Sequence, residues 1–227
     1  MALNKKLQLF KDKQDHIFTR ASGILGIFAA PVRMKLIHFL TQAPLTVEVI
    51  SQKIDESIAN TSMHLRKMLN ENLVKVGTVG QKRLYSLHPS VFNFWEKSQD
   101  FIQSIDPSLG FIESDDKEEE LNWKHSIDET IKLLNQKQVI FLDVRPEDES
   151  NHSHKDNKNI ICIPSTDLNK KLELLPKKKK MLVICRGRMC ALSVYTVNYL
   201  RENNFNAFRF DQSWFAIEQS LSKRKKK

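Results

Sequence analysis

The chain has 227 residues, 41% of them hydrophobic and 28% charged, which suits two small packed domains better than one and does not read as disorder. No stretch reaches the roughly 18 consecutive apolar residues of a membrane span, and residues 1–10 lack a following apolar core of the signal-peptide kind, so a cytoplasmic protein without membrane contact is expected. Its three cysteines, Cys162, Cys185 and Cys190, exclude a fully paired disulfide scaffold and form no short-spaced metal pattern, and the net charge of +9 makes a polyanionic partner or a merely solubilising lysine surface equally good readings.

Apolar residues at Leu3, Leu7, Phe10, Ile17, Ala21, Ile24 and Phe28 recur near helical spacing, which predicts one long amphipathic helix ended by Pro31. A second helix from Pro31 turns Val32, Leu36 and Leu40 inward, and a third over residues 46–54 buries Val47, Ile50 and Ile54. Ser57 is placed to cap a fourth helix reaching Glu71, with Ile58, Ser62, Leu65 and Leu69 on its inner face. From Val74 the pattern becomes a β-hairpin with Gly77 and Gly80 at its tip and a return strand over residues 83–87. Helix resumes after Pro89, where Phe92, Trp95, Gln99, Ile102 and Ile105 fall in register, and stops at Pro107.

Residues 107–122 are polar and acidic, a linker by composition. Ser126 and Glu129 then have capping-box spacing ahead of a helix. Strands at 139–144, 181–184 and 205–210 alternate with a helix over 191–202, which predicts a parallel α/β sheet. The expected organisation is a winged helix-turn-helix over 1–106, an acidic linker over 107–122, a parallel α/β domain over 123–222 and a basic tail over 223–227. Residues 177–180 read as a solvated turn and the tail as disordered, each able to add only nonspecific affinity for DNA.

Three short helices followed by a hairpin place the fourth helix in the position that enters the major groove of DNA. Opposite its inner face lie Ser57, Asn60, Thr61, His64 and Lys67, all able to hydrogen-bond to base edges or phosphates, and Lys82 and Arg83 sit where a wing meets the flanking backbone. An ordinary solvated helix face is the plain alternative. The stretches Ala30-Pro-Val-Arg-Met-Lys-Leu, Ser57-Ile-Ala-Asn-Thr-Ser-Met-His-Leu, Leu73-Val and Tyr85-Ser-Leu resemble the ArsR-type winged-helix repressors over about residues 15–105. The resemblance implies a homodimer joined through the first and last helices of this half, reading a partly palindromic operator in double-stranded DNA. Residues 46–54 lack the cysteines with which many members of that family sense metals, and His16, His38 and His64 are scattered, so no metal site is expected.

In the second half, Met181-Leu-Val-Ile-Cys185-Arg-Gly-Arg-Met-Cys190 places a cysteine between a buried strand and a helix. Backbone N–H groups and the helix dipole would favour its thiolate, and Arg186 and Arg188 would add positive charge suited to an anion or persulfide. An inert thiol capping the strand is the alternative. Residues 126–220 resemble the rhodanese domain: Leu142-Asp-Val-Arg-Pro146 is similar to its first-strand signature, Ile163-Pro164 to a later strand end, and Cys185-Arg-Gly-x-x-Cys190 to its active loop. The resemblance implies a persulfide-carrying Cys185, an anion cradle over residues 186–190, and supporting roles for Asp143 and Arg145. The turn starting Ser153-His-Lys-Asp-Asn-Lys-Asn and the segment Asp211-Gln-Ser-Trp214 depart from the glycine-rich family pattern. Ala191 stands where a tyrosine-phosphatase loop needs arginine, which disfavours phosphate-ester hydrolysis.

Cys190 reads either as a resolving thiol for Cys185 or as a small helix-starting residue, Cys162 as core, and His152 with His154 as exposed loop. The sequence therefore predicts a DNA-binding regulator, a repressor, whose Cys185 senses a sulfur, redox or metalloid signal carried by a small ligand, with no cofactor. The alternatives are a rhodanese-type sulfurtransferase with the winged helix as a dimerisation or targeting module, and a pure binding protein without chemistry.

Overall fold

The computed structural model describes residues 2–109, 121–150 and 157–224. Its contacts gather into two units, Met1–Leu40 with Pro44–His88, and Thr41–Ala43 with Pro89–Lys227.

In the first unit, α1 (Ala2–Phe28) meets α2 (Pro31–Leu40) at a corner made by proline at the first helical position, where its missing N–H is no loss. Arg33 closes the corner: its Nε donates to the Ile27 carbonyl at 2.6 Å and its Nη2 to Gly26 at 3.0 Å, satisfying carbonyls that the end of α1 would leave bare. Thr46 caps α3 (Val47–Ile54), and Ser57 caps α4 (Ile58–Asn70) by accepting from the Asn60 N–H at 3.1 Å. Strands β1 (Val74–Val79) and β2 (Lys82–Leu87) pair antiparallel through a turn in which Gly80 has φ of 60°, a conformation that favours glycine. Leu45 adds an antiparallel bridge to Tyr85, extending the hairpin by a residue pair that the sequence pattern does not reveal. Leu36, Ile37, Ile50, Leu65 and Met68 form the fully buried centre.

α4 buries Thr61, Leu65 and Met68 rather than the predicted Ile58, Ser62 and Leu69, and Ile58 is 53% exposed. Both stripes share Leu65. Rolling the helix to bury Met68 removes far more apolar surface from water than burying Ser62, at about 25 cal/mol per Å².

The second unit begins with α5 (Pro89–Ile105), which the sequence reading placed in the N-terminal domain. Val91, Trp95 and Gln99 are its buried side chains, and Phe92 stacks on Phe215 with ring centres 3.9 Å apart. The capping box at Ser126 starts α6 (Ile127–Asn135) as predicted, and the Ser126 hydroxyl and N–H hold the Glu129 carboxyl below its ordinary value. Strands β3 (Val139–Asp143), β4 (Ile160–Cys162), β5 (Lys180–Ile184) and β6 (Ala207–Phe210) form one parallel sheet in the order β4-β3-β5-β6. The remaining helices are α7 (Leu168–Lys171), α8 (Leu192–Glu202) and α9 (Trp214–Arg224).

Every residue of β3 is buried, because a parallel strand is covered on both faces. Ile140, Leu142, Met181 and Val183 pack with Val197 and Leu200 of α8 on one face; Val139, Phe141, Leu182 and Ile184 pack with Ile131, Leu134, Trp214 and Ile217 on the other. The chain lays β4 on one side of β3 and then crosses to the other for β5. That reversal opens a crevice at the carboxyl ends of β3 and β5, the place where open α/β sheets bind ligands.

Residues 110–120, which carry most of the predicted acidic linker, lie outside the described residues. So do residues 151–156, with His152, His154 and most of the unusual turn, and residues 225–227 of the basic tail, while α9 runs through Arg224. Among the described residues no single helix is long and apolar enough to cross a membrane.

Candidate functional site

On α4, Ser57 and Lys67 are exposed, and Asn60 and His64 are half-buried. Ser57 is occupied as the cap, and Asn60 Nδ2 donates to Glu56 Oε2 at 2.7 Å. His64 Nδ1 lies 3.4 Å from the Nη1 of Arg33, and burial followed by the Arg33 charge holds its imidazole below the usual histidine range. Thr61 does not belong on this face: it is fully buried, because α4 packs along the Thr61, Leu65 and Met68 stripe. The outward surface instead includes Ile58, Ala59, Met63 and Arg66, which the sequence reading passed over by fixing on the other stripe. Lys82 and Arg83 are exposed at the start of β2, directly after the hairpin turn.

At the carboxyl end of β5, Cys185 and Cys190 are joined in a disulfide with Cα atoms 6.6 Å apart. Both are buried, at 1% and 7% exposure. Between them the loop turns tightly, the Cys190 N–H donating to Gly187 O at 3.2 Å, and Gly187 has φ of 89°. A side chain there would be strained by the backbone, while its Cβ would only reach van der Waals contact with the Ser213 backbone at 3.4 Å. Asp143 and Arg145, from the end of the neighbouring β3, are completely buried and fully paired: Arg145 Nη2 meets Asp143 Oδ2 at 2.7 Å, its Nε meets Oδ1 at 2.9 Å, and its guanidinium lies 5.1 Å from the Trp214 ring. Gln42, in the short segment that belongs to this unit, accepts from Arg145 Nη1 at 3.2 Å. A buried pair of this kind holds local geometry; its net contribution to stability is small because desolvation offsets attraction.

The two loop arginines depart from the expected open anion cradle. Arg186 makes a two-pronged ion pair with the wholly buried Glu149, at 2.6 and 2.8 Å. Arg188 is bound by Asp100 and Gln103 of α5, and its Nε lies 3.6 Å from Asp211. Beneath the loop, the buried Arg209 donates to Arg188 O at 2.7 Å and to the Ser193 hydroxyl at 3.1 Å, and that hydroxyl donates to Cys190 O. Glu149, Arg209, Asp100 and Asp211 are thus site residues that sequence reading missed. No local pattern marks any of these four charges, and only folding supplies their partners.

Cys162, expected in the core, is exposed at the end of β4. Its thiol is nevertheless pushed up by local burial first and by the Asp143 carboxylate second, with Arg145 opposing, so it stays protonated at neutral pH. Among the described residues no three His, Cys, Asp or Glu side chains converge to hold a metal ion.

Comparison with known families matches residues 126–220 to the rhodanese-like domain and residues 28–77 to a helix-turn-helix domain. The chain joins a helix-turn-helix domain to a rhodanese-like domain. The winged helix is similar to that of NolR from Sinorhizobium fredii, 24% identical over 39% of this chain and 90% of that one, with a TM-score of 0.38. The homodimeric DNA-binding domain of a possible ArsR-family regulator from Mycobacterium bovis is 17% identical over 40% of this chain and 86% of its own, with a TM-score of 0.39. The transcriptional repressor BigR from Xylella fastidiosa is 15% identical over 42% and 95%, with a TM-score of 0.35. None of the curated proteins compared matches the chain. In the rhodanese-like domain, Cys185, Arg186, Arg188 and Cys190 share one loop, with Asp143 and Arg145 on the adjoining strand end.

Proposed function

We propose that this DNA-binding regulator is a homodimeric repressor of the cytoplasm, and that its rhodanese-like domain senses sulfane sulfur or oxidants through Cys185 and Cys190. The observation that carries the reading is the Cys185–Cys190 pairing, which turns the loop into a two-state element in a chain that also carries a helix-turn-helix. With sulfane sulfur, the Cys185 thiolate attacks the outer sulfur of a persulfide, R–S–SH, takes it as Cys185–S–SH and releases R–SH. The Cys190 thiolate then attacks Cys185 Sγ and expels hydrosulfide. Two protein thiols are oxidised to the disulfide, and the sulfane sulfur is reduced to sulfide.

Arg188 supports a route outward, because it lies inside the five-residue span that the disulfide closes and is held by Asp100 and Gln103 of α5. A single residue, His88, separates the end of β2 from the start of α5, so a loop that repositions Arg188 acts on a helix joined to the DNA-reading hairpin. Neutralisation of both loop arginines by carboxylates argues against a cradle for a thiosulfate dianion, and so favours the sensor over a turnover enzyme.

The test is a gel shift on duplexes selected from a random pool, with the protein reduced or treated with tetrasulfide. The wild type is expected to change its affinity on treatment, and Cys185→Ser and Cys190→Ser are expected not to. Identical binding by treated and reduced wild type would sink the sensor while leaving DNA binding intact.

A further inference from the structure

The sheet of the rhodanese-like domain has two ends, and its charges are handled differently at each. At the cysteine end both loop arginines are neutralised by carboxylates. At the amino end, where parallel β3 and β5 begin, the lysines make no ion pair among the described residues. Lys180 opens β5, Lys137 stands two residues before β3, and Arg201 in the last turn of α8 donates to the carbonyl of Ala207, the first residue of β6, at 2.9 Å. Lys179 Nζ donates to Lys137 O at 2.6 Å, which ties the 177–180 turn to the turn ahead of β3.

Aromatic rings lie beside these cations. Lys180 Nζ lies 5.1 Å from the Trp123 ring centre and 5.7 Å from that of Phe208; Arg201 lies 5.0 Å from Phe208, and Lys177 6.0 Å from Phe205. Such contacts bias where a cation sits while leaving its charge intact. Among the described residues, Lys137, Lys177, Lys178, Lys179 and Lys180 make no ion pair. Lys137, Lys177 and Lys178 are exposed, and Lys179 and Lys180 half-buried.

We propose that this lysine rim is a second contact for duplex DNA, through phosphates and without sequence preference. It rests on the chain binding DNA. A site for a small anion needs buried donors converging on one point, whereas these ammonium groups are spread along an open edge, which suits a polyanion carrying one charge per about 1.7 Å of axis. The occupant is DNA because the rim is carried on the same chain as a helix-turn-helix: once that module is bound, covalent linkage raises the effective concentration of duplex at the rim.

The experiment measures anisotropy of a labelled random-sequence duplex, several helical turns long, binding the full chain across a potassium chloride series. Each phosphate contact contributes about 0.9 to the slope of log affinity against log salt. The combined variant Lys137→Gln, Lys177→Gln, Lys178→Gln is expected to lower the slope by about 2 to 3, with an unchanged thermal melt. Lys67→Gln, on the α4 face, is expected to lower it by about 1 in either background. A triple variant with the wild-type slope overturns the rim, and the Lys67→Gln loss then shows that the DNA reading itself stands. Wild-type protein with no salt-dependent binding overturns both.

Discussion

Thr61 is the residue on which helix periodicity misled. Two stripes on α4 cross at Leu65, and the polar character of Thr61 suggested the outer one, although Met68 three residues beyond Leu65 is the stronger apolar marker. The fold buries Thr61 completely, and its hydroxyl has no hydrogen-bond partner among the described residues. Thr61→Val keeps the shape and removes a buried hydroxyl, whose desolvation without a partner costs about 1–3 kcal/mol. Urea denaturation is expected to show stability equal to or about 1 kcal/mol above wild type, with unchanged DNA affinity. A base contact at this position would instead lose about 1–3 kcal/mol of discrimination. Cys185 and Cys190 were legible because a cysteine between a buried strand run and a helix, with glycine and arginines beside it, fits few local structures. Cys162 was not legible, since the apolar run around it is the same whether the third residue of β4 faces core or solvent.

Among the elements, α5 was legible as a helix from its three- and four-residue spacing, but its neighbours were not. Asp100 and Arg188 are 88 residues apart, and no local pattern announces a pairing at that separation. The same face of α5 carries Glu96, in a cavity of about 270 Å³ lined also by Asp100, Arg188, Asp211 and Phe215. Burial is the main cause that raises the Glu96 carboxyl above its ordinary 4.5, aided by Asp100 and Asp211, while a hydrogen bond from Ser213 and the Arg188 charge act the other way. A raised carboxyl means that between pH 4.5 and the folded-state value the native protein binds more protons than the unfolded chain. Stability therefore falls as pH rises through that interval. Glu96→Gln lacks the titrating group and can keep the contact with Ser213. It is expected to be more stable than wild type at neutral pH, with the difference shrinking as pH falls toward 4.5; a difference independent of pH would show that burial of charge is not its cause. The measurement is urea denaturation of both proteins across that range.

At the scale of the whole molecule, the change of periodicity along the chain pointed to two units, but the composition break near residue 107 lies inside the second unit, which begins at Pro89. The place of α5 was not legible, because an amphipathic helix does not declare which core its apolar side joins. The sheet order was beyond the sequence too, since alternating strands and helices predict parallel pairing but not which strand is central. The proposed homodimer is testable on α1. At 100° per residue, Leu7, Phe10, Ile17, Phe18 and Leu25 fall within about 100° of one another on the helix. All five are more than half exposed. A single helix with so long an apolar stripe facing water gains little from its own hydrogen bonds, and pairing with an identical stripe across a two-fold axis buries both. Wild-type protein is expected to sediment at twice the 26.4 kDa chain mass, and Phe10→Glu with Ile17→Glu at the chain mass. The variant should also lose affinity for a two-half-site duplex more than for a single half-site, because only a dimer holds two recognition helices one helical turn apart. A wild-type protein that sediments as a monomer would overturn the dimer, and a variant that stays dimeric would place the contact elsewhere than on this stripe.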